Sequence, residues 1–226
     1  MGLFLSSETK MLTDQISKLT TGATVALMFS SLMWLQPYLA QLSTTYQLAG
    51  TAASALIAVG VYRLLAGGLL WLFKKSRWLR KKILGNGFLE GTWVGHYLHG
   101  TEHRFTIEHI DQTSGVTVIR GREFGNDGRT RASWSSDTVS IDLARMQLVY
   151  AYTCKVFERK HVQQGLGVFS MVSEVSGEPA NKLDGYAVDL IDGDPDPNTE
   201  FKILDKEMKD EDAISKARVI FGVPAA

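Results

Sequence analysis

The sequence predicts a two-helix transmembrane hairpin at the N-terminus followed by an all-β domain: an eight-stranded antiparallel up-and-down β-barrel with a C-terminal helix. Three observations carry this reading. No charged residue occurs from Leu19 to Tyr62, a run of 44 positions. Lysines and arginines then crowd between Lys74 and Lys82. Behind them, segments rich in Thr, Val, Ile, Tyr and Phe alternate with clusters of Gly, Asn, Asp and Ser, the pattern of sequential strands and turns. With 226 residues the chain has room for one ordinary domain and a membrane segment. The division falls at Lys82, with 1–82 as hairpin and basic flank and 83–226 as the soluble domain.

The uncharged run is about twice the roughly 20 residues that a helix needs to cross a bilayer. A polar dip at Gln41–Gln47 divides it into spans of about 22–42 and 48–73. Trp34, Tyr38 and Tyr46 lie near the turn, and Trp71 and Trp78 at the opposite face, where aromatic belts form. Lys10 and Lys18 precede the first span; Lys74, Lys75, Arg77, Arg80, Lys81 and Lys82 follow the second, and the turn has no basic residue. The positive-inside rule therefore puts both termini and the soluble domain in the cytoplasm. A cleaved signal peptide fits less well, because Met1–Lys18 is polar and a second span follows the first directly. Gly50, Ser54 and Ala58 recur every fourth residue and line one helix face, suited to close packing within the hairpin or between protomers. Arg63 either lies within the bilayer, where ionisable groups serve function, or snorkels to the interface.

The 24 basic and 24 acidic residues balance over the whole chain but not along it. Residues 1–82 hold 9 basic and 2 acidic residues, and the rest hold 15 and 22. An acidic soluble domain argues against DNA or RNA binding, which needs a cationic surface. Cys154 is the single cysteine, so no intrachain disulfide framework exists.

Eight strands are expected, at Phe88–Leu98, Arg104–Ile110, Val116–Glu123, Arg131–Ile141, Met146–Val156, Leu166–Val172, Leu183–Ile191 and Phe201–Lys206. Asn126-Asp127-Gly128 and Asp192–Asn198 read as turns. A helix over Asp210–Phe221 closes the chain, with acids in its first turn and Ile214, Ala217 and Phe221 on one face. Closing eight sequential strands into a barrel removes exposed edges and leaves an interior for one small ligand; an open sandwich is the alternative.

Strand parity nominates candidate ligand-binding residues. Gly91, Trp93, Gly95 and Tyr97 share a face of the first strand, with Trp93 suited to plug one end. Tyr150, Tyr152 and Cys154 share a face of the fifth, and Trp134 lies on the fourth. Arg120 and Arg122 share a face with Val116 and Val118, and guanidinium forks suit phosphate, while aromatic rings can stack bases. Each has a plainer reading, the tryptophans as core and the arginines on a solvated face. His96, His99 and His103 match no zinc spacing, and no catalytic motif or dinucleotide fingerprint occurs. No enzyme, metal or cofactor is expected.

The chain resembles a known family. The hairpin, the basic junction and a soluble domain opening with Leu89-Glu-Gly-Thr-Trp-Val-Gly-His-Tyr97 are similar to the two-transmembrane, β-barrel effectors of bacterial CBASS anti-phage systems. The resemblance continues through Phe105-Thr-Ile107, Trp134-Ser-Ser136, Leu148-Val-Tyr-Ala-Tyr152 and Asp184-Gly-Tyr186, although the first motif also occurs in other minimal lipocalin-like barrels. It implies a barrel that binds a cyclic dinucleotide made by a cognate CD-NTase. It further implies that binding drives homo-oligomerisation and that the membrane part then disrupts the inner membrane, causing death or growth arrest of the infected cell. A membrane-tethered barrel carrying a lipid or other apolar ligand is the alternative.

Overall fold

The computed structural model describes residues 71–224 except 113–115, 158–161, 176 and 192, together with scattered positions between 18 and 68. The chain divides into two compact units, with the boundary between Leu79 and Arg80. In the first, the described positions from 18 to 37 and from 59 to 75 are helical. Among the described residues no helix is long and apolar enough to cross a membrane. Gly50, Ser54 and Ala58 lie outside the described residues, as does most of both expected spans. Arg63 is helical and exposed.

Helix α1 (Arg77–Leu84) begins where the Ser76 hydroxyl accepts the Leu79 amide, 3.3 Å away, a side-chain cap for an otherwise orphaned donor. Lys81 and Lys82 complement the negative end of its dipole. A short 3₁₀ turn (Gly85–Gly87) follows and feeds the barrel. Its approach is fixed by polar side chains. Arg80 Nε and Nη2 donate to the two carboxylate oxygens of Glu90 at 2.7 and 2.8 Å, both residues buried. Gln112 Oε1 accepts the Leu89 and Glu90 amides, and its Nε2 donates to the Gly87 carbonyl.

The eight strands are β1 (Gly91–His99), β2 (Glu102–Asp111), β3 (Val118–Gly125), β4 (Thr130–Asp142), β5 (Gln147–Val156), β6 (Val162–Val172), β7 (Lys182–Asp189) and β8 (Asp196–Leu204). Each pairs antiparallel with the next, and β8 pairs back with β1, so the barrel is closed. The seam is tight. Gly91 has φ 138°, and a Cβ there would overlap the Leu204 carbonyl, so only glycine fits. Two strands start well before the expected residue. β6 begins four residues before Leu166, since its polar Gln163 is buried inside the barrel. β8 begins at Asp196, within the segment read as a turn, because Asp196 and Asn198 pair with β7.

Two apolar cores lie on opposite sides of the sheet. Inside, one end of the barrel is filled by Leu89, Trp93, Ile110, Ile119, Leu148 and Phe169, among others. Outside, Val94, Phe105, Ile107 and Phe124 pack under Ala213, Ile214 and Ala217 of helix α2 (Asp210–Phe221). This helix spans the expected range and ends on Gly222, left-handed at φ 65°.

Candidate functional site

The half of the barrel opposite that core is not filled. A cavity of about 390 Å³ opens there, within the range of small-molecule sites, among the C-terminal ends of β1, β5 and β7 and the N-terminal ends of β2 and β8. Trp134, Tyr150 and Tyr152 wall it. Each ring lies over a glycine on the neighbouring strand: Trp134 over Gly121, Tyr150 over Gly167 and Tyr152 over Gly165. A Cβ at any of the three would overlap the ring. The glycines thus let large rings lie against the wall and keep the space open.

The floor is acidic. Glu108, fully buried, accepts the Tyr150 hydroxyl (2.7 Å) and the Trp134 indole N–H (2.9 Å) on Oε1. Glu200 is equally buried, and its Oε1 accepts Asn198 Nδ2 at 2.9 Å. Burial raises both carboxyls above the ordinary range. For Glu108 the two donors and Glu200 counter the rise; for Glu200 the Glu108 charge adds to it. One proton held between them therefore sits on Glu200, with Glu108 as the carboxylate, since two adjacent carboxylates cannot both ionise. Burial likewise pushes the Tyr150, Tyr152 and Tyr97 hydroxyls up, helped by the charges of Glu108, Asp189 and Glu123 respectively.

Towards the mouth, Glu123, Asp189, Asp194 and Asp196 line the cavity. No lysine or arginine lines it among the described residues. Arg104 approaches from the same end of the barrel but is bound to Glu123 at 2.6 Å and Glu102 at 2.8 Å. Arg131 bridges Glu102 and Asp127.

The structure brings Tyr97, Trp134, Tyr150 and Tyr152 together at the cavity, with Tyr150 and Tyr152 on one face of β5 as strand parity expected. Trp93 is not part of it: fully buried, it donates its indole N–H to the Leu89 carbonyl and plugs the filled end. Arg120 and Arg122 are a correction. They face outward, because Ile119 and Gly121 are the inward residues of β3, and their side chains are 53 % and 61 % exposed. Arg122 pairs with Asp210 and Arg120 with Glu207, at and before the start of α2. They pair with the approach to the helix and do not line the cavity. Glu108, Glu200, Thr106 and Asn198 were missed; the available signal was that Thr106 and Glu108 alternate with Phe105 and Ile107 on a strand apolar on its other face. No family model matches the chain, and no curated protein or solved structure matches it.

Proposed function

We propose that the chain is a membrane-tethered receptor and effector of a bacterial CBASS anti-phage system, whose barrel takes a cyclic dinucleotide from a cognate CD-NTase. The observation that carries the receptor reading is the cavity itself: a half-empty closed barrel with aromatic walls and hydrogen-bonding groups at its floor. Rings such as Trp134 and Tyr152 offer faces on which a base stacks. Glu108 and Glu200 repel phosphate, so a base enters and the phosphodiester ring stays at the mouth. The 44-residue uncharged stretch and the small-residue face of Gly50, Ser54 and Ala58 support the output: self-association of the hairpin and disruption of the inner membrane. Ligand shifts assembly only if it binds the assembled state more tightly. The acidic lining disfavours the alternative of a lipid carrier, since an acyl chain would leave several buried carboxyls without water. The absence of a basic lining residue among the described positions favours a second reading, a receptor for a small organic cation.

The test is titration of the full chain in detergent with a panel of cyclic dinucleotides, following tryptophan fluorescence and particle mass. Binding of at least one, accompanied by growth of the particle, is expected. Failure to bind any member overturns the proposal; binding without a change in mass removes the effector half.

A further inference from the structure

Four side-chain oxygens lie at or just beneath the cavity floor with no protein N–H or alcohol hydroxyl donating to them, and the one acidic proton among them is the proton the two carboxyls share. They are Thr106 Oγ1, Glu108 Oε2, Asn198 Oδ1 and Glu200 Oε2. Buried polar atoms are nearly always partnered, so a cluster of exceptions calls for an explanation. Their placement supplies one. Thr106 and Glu108 are successive inward residues of β2, Asn198 and Glu200 successive inward residues of β8, and β1 runs between those strands. At their junction β1 carries Gly95, where a Cβ would overlap Thr106 Oγ1 and stand 2.9 Å from Asn198 Oδ1. Glu108 and Glu200 are 1 % and 0 % exposed. The other oxygen of each carboxyl is already occupied, by Tyr150 and Trp134 in one case and Asn198 in the other, which fixes the orientation of the free ones.

We infer that the Glu108–Glu200 carboxyl pair, with Thr106 and Asn198 beside it, reads a planar N–H donor edge of the ligand. Such an edge is presented by the N1–H and 2-amino groups of guanine, or by a free amidinium. Even with one proton shared between the carboxyls, a buried negative charge and several lone pairs stay unmet. A ligand with two adjacent N–H donors meets both in one contact, as bidentate partners of carboxylates do. With the single carboxyl proton held between Glu200 and Glu108, the carboxyl pair has no donor to offer adenine's ring nitrogen, so adenine meets it with one donor group and one opposed lone pair, a mismatch that discriminates strongly in sites built of buried polar groups. The aromatic walls accept either base by stacking, so the choice rests with the floor. In its guanine form this inference deepens the receptor proposed above and rests on it.

Titration of the full chain in detergent tests it with four probes: cyclic di-GMP, cyclic di-AMP, cyclic di-IMP, which lacks the 2-amino group, and benzamidine. The guanine ligand should bind at least about tenfold tighter than either the adenine or the hypoxanthine one. Glu108→Gln, whose amide can turn an N–H toward the ligand, should abolish that preference with near-UV circular dichroism unchanged. The comparison of probes on the unaltered protein stands even if that variant misfolds. Equal affinity for cyclic di-AMP and cyclic di-GMP overturns the donor-edge inference and leaves the cyclic dinucleotide receptor standing. A guanine preference that survives in folded Glu108→Gln overturns the assignment to the carboxyl pair. Binding of benzamidine alone, lost in Glu108→Gln, keeps the donor-edge site and overturns the cyclic dinucleotide. No binding of any probe overturns both.

Discussion

The two ends of the barrel are made by the same eight strands and obey opposite rules. At the closed end the inward residues are Ile110, Ile119, Ile141, Leu148, Phe169 and Leu183. The polar groups that approach it are paired: the Trp93 indole to Leu89, Gln112 to Leu89, Glu90 and Gly87, and Arg80 to Glu90. At the open end the same alternation puts Thr106, Glu108, Glu123 and Glu200 inside, with oxygens left over. Burial of apolar surface stabilises the fold at one end, and polar groups raised in energy wait for a partner at the other. Local rules are expected to break where function resides.

The largest test of that contrast sets one tryptophan against another. Trp93→Ala opens a void in a core that cannot collapse, and should cost about 3–5 kcal/mol in urea unfolding of the full chain in detergent. Trp134→Ala enlarges a cavity that is already open, and should cost clearly less while weakening ligand binding. Equal losses would mean that the open end contributes to stability as the closed end does.

Gly165→Ala sharpens the comparison from the other side. Its Cβ would overlap the Tyr152 ring, so the ring must swing into the cavity. Overpacking of this kind typically costs about 1–3 kcal/mol, and here the displaced ring also occupies the ligand's space. Affinity in the titration should fall further than stability does. The same substitution at solvent-exposed Gly100, where nothing lies within 4 Å of a Cβ, strains the left-handed backbone (φ 63°) without touching affinity.

Glu200→Gln should stabilise the protein, and the sign follows from proton linkage. Burial and the charge of Glu108 hold the Glu200 carboxyl well above its ordinary value of 4.5. The folded state therefore keeps a proton that the unfolded chain releases near that value. Stability is fully present below pH 4.5 and is lost as pH rises towards the folded value. The amide resembles the protonated acid and removes that loss. At pH 8 the variant should be the more stable protein, and at pH 4 the difference should vanish. A gain that is independent of pH would show that packing, not the proton, is responsible.

Much of the barrel was legible because alternation and turn chemistry are local. The helix at Asp210–Phe221, the turn at Asn126–Gly128 and the inward face of Tyr150 and Tyr152 all follow from neighbours in sequence. The acids of the site were not, since a glutamate alternating with apolar residues reads equally well as solvated. Which face of β2 is inside depends on α2, about a hundred residues away, covering Phe105 and Ile107. The glycines at 165 and 167 belong to no motif in the sequence; their purpose appears only when β6 lies beside β5 and the tyrosine rings cover them. The inward face of β3 was illegible for a related reason, because Gly121 gives no hydropathy signal while the aliphatic stem of arginine can lie on either face.

The smallest expected effect belongs to the residues that sequence chemistry made most attractive. Arg120 and Arg122 lie outside the sheet, more than half exposed, with carboxylates of the α2 approach as partners. Exposed ion pairs are worth about 0–1 kcal/mol and weaken with salt. Replacing both by alanine should leave affinity for any cavity ligand within about twofold, and the small stability loss should shrink further in high salt. Asp210 also receives His109 Nε2 at 3.1 Å, so the helix retains an anchor in the double variant. Were the double variant instead to abolish binding while remaining folded, the ligand would sit on the outer face beside α2, and the cavity with its unmet oxygens would need another explanation.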